Sequence, residues 1–321
     1  MDPIDAVRIN FNPDQLRVLN FMLAFLMFGV ALDLRVSHFK AIFTAPKPAA
    51  VGLFSQWIML PIITIGLIFL FKPPASLALG MALVAACPGG NVSNFAVHMG
   101  KGNAALSVLL TSITTILAIF FTPLFFSVLI KLIDGAEKYG STIEVNPFDM
   151  IRTIFLLIMV PLILGMASAV YFPNLVERIK KPVQWLSMAI FLGFVVVAIK
   201  SNLEHISKYL HLVFFLVLIH NSLGLATGYG LAKAAGLPRA DARAISLETG
   251  IQNSGLGLIL IFNFFGGLGG MALIAAWWGI WHLISAFTLA TIWARRGDWC
   301  DSTELNPPRL RRGSLRNDLI F

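Results

Sequence analysis

Charge is scarce in this chain. Asp, Glu, Lys and Arg together make up 12% of the 321 residues, about half of what a water-soluble domain carries. Hydrophobic residues reach 57%, with a mean hydropathy of +0.81. This composition excludes a soluble domain with a single anchor and reads as a polytopic membrane protein. Cysteine is nearly absent as well: Cys87 lies in an apolar segment and Cys300 near the end, so no disulfide framework is implied. The first fifteen residues hold three acids and no apolar run, so they read as an exposed N-terminus and not as a cleavable signal peptide or a transit sequence. Catalytic constellations are missing too. There is no H-E-x-x-H, no pair of aspartates within apolar segments and no serine with a base at motif spacing, which weighs against an intramembrane enzyme.

What is present is a series of long apolar segments, near 16–34, 49–71, 75–99, 103–132, 149–171, 183–200, 207–235, 240–265 and 271–294. Helices are the only open-chain elements that satisfy their own backbone in lipid, so the expected fold is all-α, with about nine transmembrane helices. Two segments are interrupted by polar runs, CPGGNVSN at 87–94 and ETGIQNSG at 248–255. Pro88, Gly89, Gly90 and Gly250 make unwinding there the natural outcome.

The second interruption contains the most telling residue. Glu248 sits inside a membrane-length apolar stretch, where a carboxylate costs roughly 2.5 to 3.5 kcal/mol even on lenient insertion scales. Thr249, Gly250, Gln252, Asn253 and Ser254 surround it with oxygens and a breakable backbone. Hard oxygen donors without a histidine or cysteine cluster suit an alkali cation and not a transition metal.

An odd number of spans puts the two ends of the chain on opposite sides. The side shared with the N-terminus holds eight of the 24 basic residues, and the other side sixteen. By the positive-inside rule, residues 1–15 are extracellular and the basic tail 297–321 is cytoplasmic. The net charge of +8 therefore needs no nucleic-acid partner; the lipid bilayer explains it.

Spans one to four (16–132) and the last four of the five spans within 149–296 each contain two helices, a broken helix and a closing helix after a glycine cluster, MGKG at 99–102 and FGGLGG at 265–270. With one span between them, the two sets run in opposite directions. This is the pattern of inverted-topology repeats whose broken helices cross near the bilayer midplane.

The residues at the breaks also carry a family likeness. CPGGNVSN followed by GNAALSVLLT, then ETGIQNSG, then WH in the last span, together resemble the bile acid:sodium symporter family over about residues 20–296. Relatives in bacteria often have ten helices, and this chain resembles them without the first. The resemblance implies a plasma-membrane symporter that imports an organic anion, bile-acid-like or a small carboxylate, with two Na+ as coupling ions and no other cofactor. It further implies a first sodium site of Ser93, Asn94, Ser107, Thr111 and Glu248. A second would use Gln56, Glu248 and Gln252 with backbone carbonyls around Thr249 and Ile251. Substrate contacts would come from Asn91, Val92, Asn253 and His282, where half-helix N-termini face an anion. Leu283 departs from the polar pair that relatives place after the WH position. A sodium or proton antiporter of related broken-helix design remains the alternative reading of the residues, although a single buried carboxylate favours symport.

Overall fold

The computed structural model describes residues 3–8, 13–32, 46–136, 147–201 and 203–295. Asp33, the basic residues 35 and 40, Cys300 and the tail 297–321 lie outside the described residues. Helices are the only regular elements among the described residues, twelve in chain order. After the single turn α1 (Pro3–Ala6) come α2 (Pro13–Ala31), α3 (Pro46–Phe71), α4 (Ala75–Ala86), α5 (Val92–Met99) and α6 (Ala104–Ile130). The second half comprises α7 (147–171), α8 (Pro173–Ser201), α9 (Leu203–Ala234), α10 (Arg239–Gly250), α11 (Ser254–Phe264) and α12 (Gly269–Arg295).

Five of these, α3, α6, α7, α9 and α12, are long and apolar enough to cross a membrane on their own. Across the bundle the outer helix faces carry apolar side chains that water would not tolerate: Phe21 on α2 is 72% exposed, Leu70 on α3 72% and Phe148 on α7 78%. So large an apolar exterior belongs against lipid, and the protein is a multi-pass membrane protein.

Two helices contain a wider π-type turn, at Ser55–Met59 in α3 and Phe155–Met159 in α7. In each, the closing bond skips five residues, from Leu60 N–H to Ser55 O and from Val160 N–H to Phe155 O. A proline follows at once, Pro61 and Pro161. Proline has no N–H to give and its ring presses on the preceding turn; the inserted residue relieves both. In α3 the turn also carries Ser55 and Gln56, both fully buried.

The helices sort into two groups. α2 packs on α7 and α8, and the remainder gather about α4, α10 and α12: α9 along α10, α4 between α6 and α12, and α5 against α6, α10 and α12. The groups meet where α6 lies along α7 and α11 along α2. Asn20 and Asn263 exchange amide hydrogen bonds (3.0 and 3.4 Å) across the second of these contacts.

Both polar interruptions break their helices, more narrowly than the sequence suggests. The first opens only from Cys87 to Asn91 and the second only at Ile251–Asn253. α10 continues through Glu248 to Gly250 because its i to i−4 ladder holds as far as Ile251 N–H to Leu247 O (2.9 Å). α8 begins about ten residues before the apolar run, at Pro173, a residue suited to a first helical turn. The basic residues after it ride on the helix, where long side chains reach out of lipid along their own stems.

Candidate functional site

The two breaks meet. Gly90 N–H donates to Ile251 O (3.0 Å) and Asn253 N–H to Pro88 O (2.8 Å), an antiparallel bridge between Gly89 and Gln252. Extended backbone inside an apolar bundle must find partners, and here each break satisfies the other. The crossing fixes four half-helices, α4 and α5 from one side and α10 and α11 from the other.

Register places Glu248 against α6. Asn103 caps α6 through Leu106 N–H (3.1 Å), donates its amide to Asp241 Oδ1 (2.7 Å), and its N–H reaches Ala240 O (2.9 Å). Arg243 adds a bond to Gly100 O (3.0 Å). From this tie α6 rises about 12 Å to Thr111 and α10 about 10.5 Å to Glu248, at 1.5 Å per residue. The two side chains arrive level.

Glu248 is fully buried. Its Oε1 lies within hydrogen-bond distance of the hydroxyls of Ser93, Ser107 (2.5 Å) and Thr111 (2.9 Å), and its Oε2 lies 2.9 Å from Thr111. Asn94 Oδ1 joins the same cluster, 2.8 Å from Ser107 Oγ and 3.3 Å from Thr111 Oγ1. Thus Ser93, Asn94, Ser107, Thr111 and Glu248 come together. Three hydroxyls bring three protons, and these face the carboxylate, an amide oxygen, one another and the Ser107 carbonyl, 3.0 Å from Thr111 Oγ1. Acceptors outnumber the hydroxyl protons in this cluster, whose members other than the half-buried Asn94 are buried. A hard cation is what such an oxygen cluster suits.

The second group lies on the other side of the carboxylate. Gln56 Nε2 donates to Gln252 Oε1 (3.3 Å), and Gln252 Nε2 to Thr249 O (3.0 Å), while Gln56 Oε1 is buried without a partner. The carbonyls freed by the break are each engaged once: Thr249 O by Gln252, Gly250 O by Asn221 Nδ2 (2.7 Å) and Ile251 O by Gly90 N–H. A carbonyl has two lone pairs, so each retains capacity for an ion. Ser55 binds Thr249 Oγ1 (2.8 Å), which itself donates to Ile245 O (2.8 Å).

The substrate residues expected from sequence are distributed around the same crossing. Asn91 stands at the start of α5 without capping it, and its buried Oδ1 has no partner. Asn253 does cap α11, accepting from Leu256 N–H (3.0 Å). The N–H groups of Ser93 and Asn94 already reach Gly90 O and Asn91 O, so the start of α5 offers fewer free donors than an open helix end. His282 is 6% exposed with Nδ1 unpartnered. Its helix packs against both α5 and α11, and no hydrogen bond links it to Asn91, Val92 or Asn253. Trp277, Trp278 and Trp281 surround Phe214 and His220 on the α9 side.

Ser55 and Thr114 reach the crossing without having been singled out by sequence. The signal for Ser55 is its place beside Gln56, and for Thr114 its position one turn beyond Thr111. His220 and Asn221 are each satisfied at one atom, through Thr64 and Gly250, and orphaned at the other.

A multi-pass bundle whose two broken helices cross at a buried, oxygen-surrounded carboxylate has the form of an ion-coupled transporter. Known proteins agree. The model of the Sodium Bile acid symporter family matches residues 20–209. A Bacillus subtilis protein, "Uncharacterized sodium-dependent transporter YocS", is 31% identical over 278 residues, 87% of this chain and 83% of that protein. From rice, "Probable sodium/metabolite cotransporter BASS2, chloroplastic" is 32% identical over 250 residues, 76% of this chain and 56% of that longer protein. The human "P3 protein" is 30% identical over 235 residues, 73% of this chain and 48% of its own length. This chain belongs to the sodium bile acid symporter family, a family of sodium-dependent membrane transporters and not of enzymes.

Proposed function

We propose that this protein imports an organic anion together with two sodium ions by alternating access across a plasma membrane. The observation that carries the reading is the oxygen cluster around Glu248, in which acceptors exceed protons. The first ion takes Ser93, Asn94, Ser107, Thr111 and Glu248 as ligands. The second takes Gln56, Glu248, Gln252 and the carbonyls around Thr249 and Ile251. Glu248 is shared, so it is the only fixed negative charge for two cations.

Charge balance then sets the cycle. Two sodium ions against one carboxylate leave one positive charge, which a monoanionic substrate neutralises beside Asn91, Val92, Asn253 and His282. The site is neutral only when fully loaded, and half-loaded states are held back by the cost of moving a net charge through an apolar path. The group α2, α7 and α8 rocks against the bundle that holds the crossing, carrying the loaded site from one face to the other. Nine crossings are made by α2, α3, the α4–α5 pair, α6, α7, α8, α9, the α10–α11 pair and α12. Residues 16–132 and the last four crossings of 149–296 act as inverted repeats, with the N-terminus outside and the tail 297–321 cytoplasmic.

The substrate is an organic acid, bile-acid-like or a small carboxylate. The family's description names a bile acid and the rice relative's name a metabolite; Leu283 replaces a polar contact with an apolar one. Thermal-shift screening of the purified protein against organic acids, in NaCl and in KCl, tests the reading. Stabilisation by a carboxylate only in sodium, followed by sodium-driven uptake of that acid into proteoliposomes, is the expected result. Equal stabilisation in potassium contradicts sodium coupling.

A further inference from the structure

Gly89 lies at the crossing, and its φ is outside the left-handed region that would demand glycine. What surrounds it gives the reason for the missing side chain. A methyl group placed on Gly89 would sit 3.0 Å from Glu248 Oε2, 3.3 Å from Gln56 Nε2 and 3.5 Å from Thr114 Oγ1. Three polar groups from three different helices therefore converge on one point in front of the Gly89 α-carbon. Two of them are residues already assigned to the second ion; the third, Thr114, has no such role.

Thr114 is buried, 1% exposed. Its hydroxyl donates to Thr111 O (3.2 Å) and accepts a long bond from Gly89 N–H (3.3 Å). One oxygen lone pair is left over. Gln56 adds the complementary vacancy, since its Oε1 is buried and unpartnered and its Nε2 holds only the 3.3 Å bond to Gln252. Rotation of that amide brings an oxygen to the same point. A contraction of about 0.4 to 0.9 Å from these distances then reaches the upper end of the range of about 2.3–2.6 Å that oxygens adopt around hard cations.

We propose that the second sodium ion occupies the space in front of Gly89 and that Thr114 supplies it with an additional oxygen, Gly89 being the residue whose lack of a side chain keeps the space open. The inference rests on the two-sodium reading above and adds two residues to it. Thr114 also orders the crossing through Gly89 N–H, so it couples the shape of the break to the presence of the ion.

The test is the sodium-dependent thermal stabilisation of the detergent-purified full chain, titrated with NaCl at constant ionic strength against KCl. Wild type is expected to give a Hill coefficient above one. Thr114→Val, which keeps the shape and deletes the oxygen, is expected to lower that coefficient to one and raise the half-saturating sodium concentration roughly tenfold. Thr114→Ser restores the wild-type curve, and Gly89→Ala, which fills the space, behaves like the valine variant. The unfolding midpoint in KCl alone monitors folding, and rescue by serine separates the lost oxygen from lost packing. Wild-type sodium curves in both Thr114→Val and Gly89→Ala overturn the inference. If those curves persist while Glu248→Ala abolishes the response, only the placement in front of Gly89 fails; if wild type itself shows no response to sodium, the two-sodium reading fails with it.

Discussion

Replacing Thr111 with valine deletes one hydroxyl from the cluster at nearly constant volume. That hydroxyl lies 2.9 Å from both oxygens of Glu248, but it has one proton and makes one charge-assisted bond at a time. The loss is at the low end of the range for such bonds, about 1.5 kcal/mol, because Ser93 and Ser107 still hold Oε1. In the proposed sodium-bound site the same deletion removes a ligand from between buried side chains, about 3 kcal/mol. Only the difference between the two states moves an affinity. That difference, about 1.5 kcal/mol, corresponds to a roughly tenfold higher half-saturating sodium concentration. Titrating sodium-dependent thermal stabilisation measures it directly, with Thr111→Ser expected within threefold of wild type. A valine variant that folds and binds sodium within twofold of wild type refutes the assignment of Thr111 as a ligand and leaves it a structural threonine bonded to Ser107 O.

Other consequences can be checked separately. Lys72 is exposed at the end of α3, on the side assigned to the exterior, so Lys72→Cys should react with an impermeant maleimide on intact cells, while Cys300 should need permeabilisation and the buried Cys87 should stay silent; the reverse pattern contradicts the nine-crossing topology. On the proposed two-sodium cycle one net positive charge moves inward per turn, so 100 mV, negative inside, would add about 2.3 kcal/mol per cycle, and uptake into proteoliposomes should rise with a potassium diffusion potential; indifference to voltage would withdraw Gln56 and Gln252 as coupling ligands. A methyl on Gly228 would meet Ile245 O at 2.6 Å and the Ser246 α-carbon at 2.8 Å, whereas one on Gly230 meets nothing within 4 Å. Gly228→Ala should therefore destabilise by about 1–3 kcal/mol and lower the unfolding midpoint, with Gly230→Ala unchanged or slightly stabilised.

The sequence announces the apolar helices and both breaks, because membrane length and stranded polar groups are properties of the chain itself. Glu248 is legible for the same reason: a carboxylate within a membrane-length apolar stretch is costly to keep. The extent of each break is not, since whether the ladder survives through Gly250 depends on Asn221 and Gly90 taking the freed carbonyls, contacts made by distant segments. The π-type turn at Ser55–Met59 leaves only Pro61 as a trace. Thr114 is hidden in another way, because a helical threonine usually bonds back to its own turn, and only the approach of Gly89 gives this one a second partner. His282 illustrates the converse: its motif is plain, yet the atoms it faces depend on how α12 lies against α5 and α11.

In the proposed cycle Glu248 is the anionic ligand shared by two sodium ions. Equilibrium binding of 22Na+ to the purified protein, wild type against Glu248→Gln, tests it most directly, because glutamine keeps the side chain's shape and its contacts with Ser93, Ser107 and Thr111 while removing the charge. Wild type should bind close to two ions per chain with a Hill coefficient above one, and the folded glutamine variant should show no measurable binding. Wild-type stoichiometry and affinity in Glu248→Gln would contradict it.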